Sequence, residues 1–178
     1  MEIIINGLGP TKYIGHPGDG WEVWGLPWDD RYVYYDRLFE MHDLRLIDGE
    51  TSRRPHGYIE RLKESTVPLY MQEMYFDNVT EYPFDEMAIT YFNSSIAYMI
   101  ALAIHEGAET IGVYGVDMKA SDEYAYQKPN VEYLIGLAQG LGIEIILPEE
   151  SPLLKFQGEG IMFSNIYPTY VGRYGWLG

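Results

Sequence analysis

Three stretches of the chain carry residue types that suit chemistry on phosphorylated or hydroxylated compounds, and each follows an apolar run. The first is Asn6-Gly7-Leu8-Gly9-Pro10-Thr11. Glycines placed after a buried strand let backbone N–H groups approach a phosphate closely. The pattern is neither a dinucleotide fingerprint, because Lys12 stands where its third glycine would be, nor a P-loop, because no Gly-Lys-Ser/Thr occurs. The plainer alternative is an ordinary turn at a strand exit. The second is Gly115-Val116-Asp117-Met118, where a carboxylate at a strand's end could accept from a ribose or sugar hydroxyl, hold Mg²⁺, or merely cap a loop. The third is Glu40-Met41-His42-Asp43, an imidazole between two carboxylates. Histidine titrates near neutrality and suits general acid–base work, although surface histidines beside acids are common.

Other polar groups are weaker candidates. Tyr124 and Tyr126 fall in SDEYAYQKP, read as a loop, where a hydroxyl could donate to a leaving phosphate or the rings could simply pack. Arg53-Arg54-Pro55-His56 is the one tight basic cluster and could hold an anion or start a solvated helix. Asp29-Asp30 and Glu149-Glu150 read as turn charges. No nucleophile-elbow G-x-S-x-G occurs. His16 and His105 have no metal-binding partner at helical spacing, which argues against a structural zinc site.

These residues need elements to position them. Residues 2–6 (EIIIN) predict a buried strand running into the Gly/Pro turn. Residues 21–27, 37–42 and 67–72 predict further strands, with a modest helix over 56–65. Ser94 or Ser95 can cap a buried helix that runs to Glu106, with Ile96, Met99, Ile100, Ala103 and Ile104 on one face and Gly107 as its stop. Residues 110–118 predict a strand, 129–139 a helix with Pro129 in its first turn, and 143–147 a strand. Strand–helix–strand–helix–strand over 93–147 is the pattern of right-handed crossovers and a parallel sheet. The fold expected is α/β and Rossmann-like, a mostly parallel sheet with helices on both faces, in one domain over 1–178 whose residues 152–178 form an irregular aromatic arm. In such sheets ligands bind at the carboxyl ends of strands, near the switch in strand order.

Composition narrows the partners. With 12 basic and 27 acidic residues the formal charge is −15, so a broad nucleic-acid surface or binding to anionic membranes is disfavoured. The absence of cysteine excludes disulfides, thiolate metal sites and thiol nucleophiles. The N-terminus lacks a basic signal region, and the apolar run Ile96–Ile104 is about half a membrane span, so a cytoplasmic protein is expected. The 17 tyrosines and 4 tryptophans suit pockets and interfaces, and Trp21, Trp24, Trp28 and the tail could form a homo-oligomer contact.

The segment YFNSSIAYMIALAIHEGAETIGVYGVDM resembles the core of the Rossmann-like bacterial sialyltransferases of glycosyltransferase family 42, where a Ser/Thr-Ser-Gly opening starts a buried helix and the next strand ends in Gly-Ile-Asp. It is also similar to the archaeal hydroxymethylpterin pyrophosphokinase-like family, whose strand ends in Gly-Val-Asp. ING-LGPT resembles the Gly-Asn-Gly-Pro-Ser loop of both. RLFEMHD, SSIAYM and YQKPNVEYLIGLA resemble a group of small tailed-phage proteins without assigned activity. The superfamily resemblance covers roughly residues 2–27 and 90–147. It implies nucleotide contacts from Asn6, Gly7, Gly9, Pro10, Ser94 and Ser95, and a leaving-group role for Tyr124, with Tyr126 on similar ground. The family's catalytic base is a histidine downstream of these tyrosines; this chain has none after His105, so either His42 supplies the base, or the chemistry differs, or there is none.

The functional expectation is a nucleotide- or nucleotide-sugar-binding protein transferring a glycosyl or pyrophosphoryl group. Asn6 to Thr11 would cradle phosphate, Asp117 would bind a hydroxyl or Mg²⁺, Tyr124 would assist departure and His42 would act as base. The alternatives are a non-catalytic nucleotide-binding protein, sequestering or accessory, and an oligomeric interaction module.

Overall fold

A computed structural model describes residues 1–14, 17–27, 34–47, 54–118 and 124–155. Its centre is β1 (Glu2–Asn6), whose isoleucines Ile3, Ile4 and Ile5 are buried on both faces, as a central parallel strand requires. β2 (Trp21–Gly25) lies on one side of it and β6 (Thr110–Tyr114) on the other, both parallel and in register, with Ile4 opposite Val23 and Gly112. β3 (Arg37–Glu40), β4 (Leu69–Met71) and β5 (Val79–Glu81) extend the sheet past β2, and β7 (Glu144–Ile146) extends it past β6. Among the described residues the seven strands run in the order β5-β4-β3-β2-β1-β6-β7 and every pairing is parallel. The expected α/β, Rossmann-like class is therefore correct.

Helices cover both faces. α3 (Ser95–His105) and α4 (Tyr124–Gly140) share a core with Ile3, Ile5, Trp24, Phe39, Ile111 and Val113. On the opposite face α1 (Leu44–Ile47) and α2 (Tyr58–Lys63) pack with Leu38, Leu69, Met71 and Val79. α3 forms where its caps predict. The Ser94 hydroxyl accepts the Ala97 N–H at 3.2 Å. At its end Gly107 takes φ 75°, and the Gly107 and Ala108 N–H groups donate back to Ile104 and Ala103, the Schellman pattern. Met99, Ile100 and Ala101 are fully buried, and each large one contributes roughly 1.5–3 kcal/mol by leaving water.

Several boundaries differ from expectation, with consequences for the site. The strand expected over 37–42 ends at Glu40, so His42 sits on the loop beyond it. The strand expected over 110–118 ends at Tyr114; Gly115 at φ 63° breaks it, and Asp117 lies three residues further on. α4 starts at Tyr124 rather than 129, placing Pro129 inside the helix. As the sixth residue of the helix, Pro129 lies past the first turn, so it forgoes the bond to the carbonyl of residue 125 and its ring crowds that carbonyl. Tyr124 and Tyr126 are thus helical residues, not loop residues. Trp24 is fully buried, with its indole N–H on Glu22, and is unavailable to an interface. Trp28 and the arm beyond Lys155 lie outside the described residues. No helix among the described residues is long and apolar enough to cross a membrane.

Candidate functional site

Strand numbers rise outward from β1 in one direction through β2 to β5, and in the other from β6 to β7. The switch in strand order therefore falls between β1 and β6. The Gly7–Thr11 turn leaves β1 and the Gly115–Met118 loop leaves β6 at this point. The two loops are laced together. Gly7 and Gly9 N–H groups donate to the Tyr114 and Gly115 carbonyls, both at 2.8 Å. Thr11 Oγ1 lies 3.2 and 3.3 Å from the two Asp117 carboxylate oxygens and accepts the Gly115 N–H at 3.1 Å. The Asn6 side chain, fully buried, brackets the turn by accepting from Tyr13 N–H at 2.9 Å and donating to its carbonyl at 3.0 Å.

The glycines have a different task from the one their types suggest. A Cβ on Gly9 would sit 1.9 Å from Asp117 Oδ2, and one on Gly7 would sit 2.4 Å from the Gly115 carbonyl oxygen. The room they leave is filled by the neighbouring loop. The turn's donors are spent in the same way: Lys12 N–H goes to Gly9, Tyr13 N–H to Asn6, and Pro10 has none. Leu8 keeps the one N–H of this turn with no partner among the described residues, and its side chain and Pro10 face solvent. A cradle of several N–H groups does not exist on this turn.

Free donors lie instead at the start of α3. Because α3 leads into β6 at the amino edge of the sheet, its first turn lies toward the carboxyl edge. Ser95 and Ile96 N–H groups have no intrahelical partner there, and the helix dipole favours an anion. Two asparagines that sequence reading missed fix this approach. Asn130, fully buried on α4, accepts the Asn93 N–H at 3.1 Å and donates to the Tyr91 carbonyl at 3.0 Å. The Asn93 amide donates to the Tyr126 carbonyl at 2.7 Å. Asn93 directly before the Ser-Ser cap, and Asn130 directly after Pro129, are the only local hints of this clamp. Tyr126 is largely exposed; the Tyr124 side chain lies outside the described residues.

His42 belongs to a second cluster. One strand, β2, lies between β3 and β1, a lateral span of two strand spacings, about 10 Å. The His42 ring contacts Glu40 and Arg54, not the Gly7–Thr11 turn or Asp117. Its expected pair of carboxylates is reduced to one, because Asp43 turns to Arg45, whose contact holds the Asp43 carboxyl well down, at about 2. Glu40 is buried. It accepts the Tyr58 hydroxyl and lies 3.1 Å from Arg54 and 2.5 Å from His42 Nδ1. Burial pushes the Glu40 carboxyl up, but the bonds from His42 and Tyr58 and the Arg54 charge outweigh it and leave it below the ordinary range. Burial and the Glu40 charge push the Tyr58 hydroxyl up. Arg53 lies outside the described residues, while His56 is exposed.

Among the described residues no three acidic or histidine side chains come together around a cation position, and Asp117 is engaged by Thr11. A cavity of about 390 Å³ lies elsewhere, at the far ends of α3 and α4, lined by Ile104, His105, Leu137, Leu141 and residues 87–91.

No sequence-family profile matches the chain. No curated protein sequence matches it either. Solved structures do. The sialyltransferase CST-II with trisaccharide acceptor and CMP is 16% identical, with a TM-score of 0.50 over 85% of this chain and 82% of that one. A variant of CST-II with CMP is 16% identical, with a TM-score of 0.51 over 83% and 80%. CstII from Campylobacter jejuni with CMP gives 0.48 at 16% identity over 82% and 78%. At such identities the likeness is one of fold: this chain has the Rossmann-like architecture of those glycosyltransferases.

Proposed function

We propose that the chain binds a nucleotide or nucleotide sugar across the β1–β6 switch point and transfers its glycosyl or pyrophosphoryl group. The observation that carries this reading is the meeting, at the switch in strand order, of the laced Gly7–Thr11 and Gly115–Met118 loops. In this reading Ser94 and Ser95 present the helix start to phosphate. Asn6, Gly7, Gly9, Pro10 and Thr11 shape the floor rather than cradle the anion. Asp117, steadied by Thr11, offers an acceptor to a ribose or sugar hydroxyl. Tyr124 and Tyr126 serve the departing phosphate, and His42 takes the acceptor's proton. The structures similar in fold contain CMP, which makes cytidine nucleotides the first ligands to try.

A non-catalytic nucleotide-binding role is the second reading, favoured by the two strands that separate His42 from the switch point. Thermal denaturation with CMP, UMP, AMP, GMP and their nucleotide sugars tests binding. At 100 times Kd a ligand adds about 2.7 kcal/mol. That raises Tm by roughly 5–11 °C in a chain of this size. No shift with any of them at millimolar concentration refutes both readings. A shift without hydrolysis or transfer of the bound sugar nucleotide selects the second.

A further inference from the structure

Glu40 is a charged side chain at the end of a central strand, 1% exposed, in a place where burying an ion costs several kcal/mol unless it is fully paired. Here it is paired by three side chains from three places in the sequence. Tyr58, on the first turn of α2, donates its hydroxyl to Oε2. Arg54 NH2 lies 3.2 and 3.1 Å from the two oxygens. His42 Nδ1 lies 2.5 Å from Oε1, and the His42 backbone N–H adds a bond to the same oxygen at 3.2 Å. The imidazole is anchored at one nitrogen only. Its side chain is 51% exposed, and Nε2 has no partner among the described residues.

We propose that Glu40 is the positioning residue of a Glu40–His42 dyad, holding the Nδ1 proton so that Nε2 is the proton-accepting atom at the carboxyl edge of β3. This rests on the reading of His42 as the base. It extends that reading by assigning the tautomer, the residue that sets it, and the place of the transferred group. The carboxylate of Glu40 is kept ionised by Tyr58 and Arg54, so it accepts rather than donates toward the ring. Two and a half strand spacings, about 12 Å, then separate β3 from the switch point. That is the scale of a donor whose nucleotide lies over β1 and β6 and whose transferred group reaches over β2 toward β3. In the transfer step the acceptor's O–H bond breaks and its proton goes to Nε2. The acceptor oxygen forms a bond to the transferred carbon or phosphorus, and the nucleotide leaves with the electron pair of the bond that breaks.

Geometry also offers a rival arrangement. Arg54 NH2 is 2.9 Å from the same Nδ1. If the guanidinium donated there, Nδ1 would be bare and the proton would sit on Nε2, which could not then act as base. Nitrogen NMR of the ¹⁵N-imidazole-labelled, ligand-free protein decides between them, with His42→Gln assigning the resonance. The proposal expects neutral His42 as the Nδ1–H tautomer. In Glu40→Gln an uncharged amide oxygen must serve Tyr58 and Arg54 as well as the ring. Arg54 then donates to Nδ1 and the Nε2–H form should dominate. Tyr58→Phe, which keeps the carboxylate, should retain Nδ1–H, and it stands in should Glu40→Gln not fold. An Nε2–H wild type, or an Nδ1–H form unchanged in Glu40→Gln, overturns the dyad. With a turned-over nucleotide sugar in hand, Glu40→Gln should lower kcat at least tenfold with donor KM unchanged. A normal kcat overturns the positioning role. Failure of every nucleotide to bind would fall on the switch-point reading, since the tautomer is measured without ligand.

Discussion

Replacing Gly9 with alanine tests whether the β1 turn is shaped by the protein itself or left open for a ligand. The added methyl would lie 1.9 Å from Asp117 Oδ2 and 2.8 Å from the Gly115 carbonyl oxygen. The carboxylate would have to swing away, and the carbonyl belongs to backbone that is bonded to Gly9 itself. Overpacking of this kind costs about 1–3 kcal/mol. Losing the Thr11–Asp117 contact adds about 1 kcal/mol. The stiffer unfolded chain returns about 0.4–1 kcal/mol. The net is a loss of roughly 1–3.6 kcal/mol, or about 2–14 °C in Tm for a chain of this length. Differential scanning calorimetry reads it directly. Asp117→Ala removes the colliding oxygen, so in that background the cost of Gly9→Ala should shrink by about 1 kcal/mol or more, a coupling of the size expected for residues in contact. A Gly9→Ala protein that melts within about a degree of wild type, or a double variant whose losses simply add, would refute this packing account.

Two further outcomes follow from the structure. Asn130→Ala should cost about 1–3 kcal/mol in chemical denaturation, because it removes two hydrogen bonds, to the Asn93 N–H and the Tyr91 carbonyl, and it should weaken any ligand held at the α3 start. In acid, the Asp43 carboxyl titrates at about 2, below its ordinary value of 3.8, so its contact with Arg45 contributes fully above about pH 4 and is lost as pH falls toward 2. Arg45→Ala should therefore flatten the stability profile across that window and leave it unchanged near neutrality relative to pH 5.

The fold was largely legible because its longest signals are local. EIII, the capped stretch from Ser94 to Gly107 and the run TIGVY each announce themselves within a dozen residues, and their order implies parallel crossovers. β5, α1 and the 3₁₀ turn Phe84–Glu86 were not foreseen, since three or four residues cannot display a period. A proline is a natural first helical residue, so the sequence points to a start at Pro129, whereas α4 begins five residues earlier and carries the proline within it. The site was half legible. Asp117 and the glycine turn were visible as a strand exit, but their mutual contact spans 106 residues, and nothing local shows that a glycine's space will be filled by a distant carboxylate. Likewise Glu40 read as one of two flanking acids. Its burial depends on Tyr58 and Arg54, brought in by the crossover between β3 and β4.

The central place of β1 has a consequence for how the molecule assembles. Its first partner, β2, follows within 20 residues, but its second, β6, pairs Glu2 with Thr110, 108 residues later in the chain. Local pairings close fast and remote ones slowly, because a longer loop must be ordered first. The sheet from β1 to β5 can therefore form as a growing unit with one open edge on β1, which β6 seals last. The candidate site lies on that seam. Its floor is absent until β6 and the loop that follows it dock on β1, so site formation and the sealing of that edge are one event, and a ligand bound there would act as a clasp between the early and late parts of the chain.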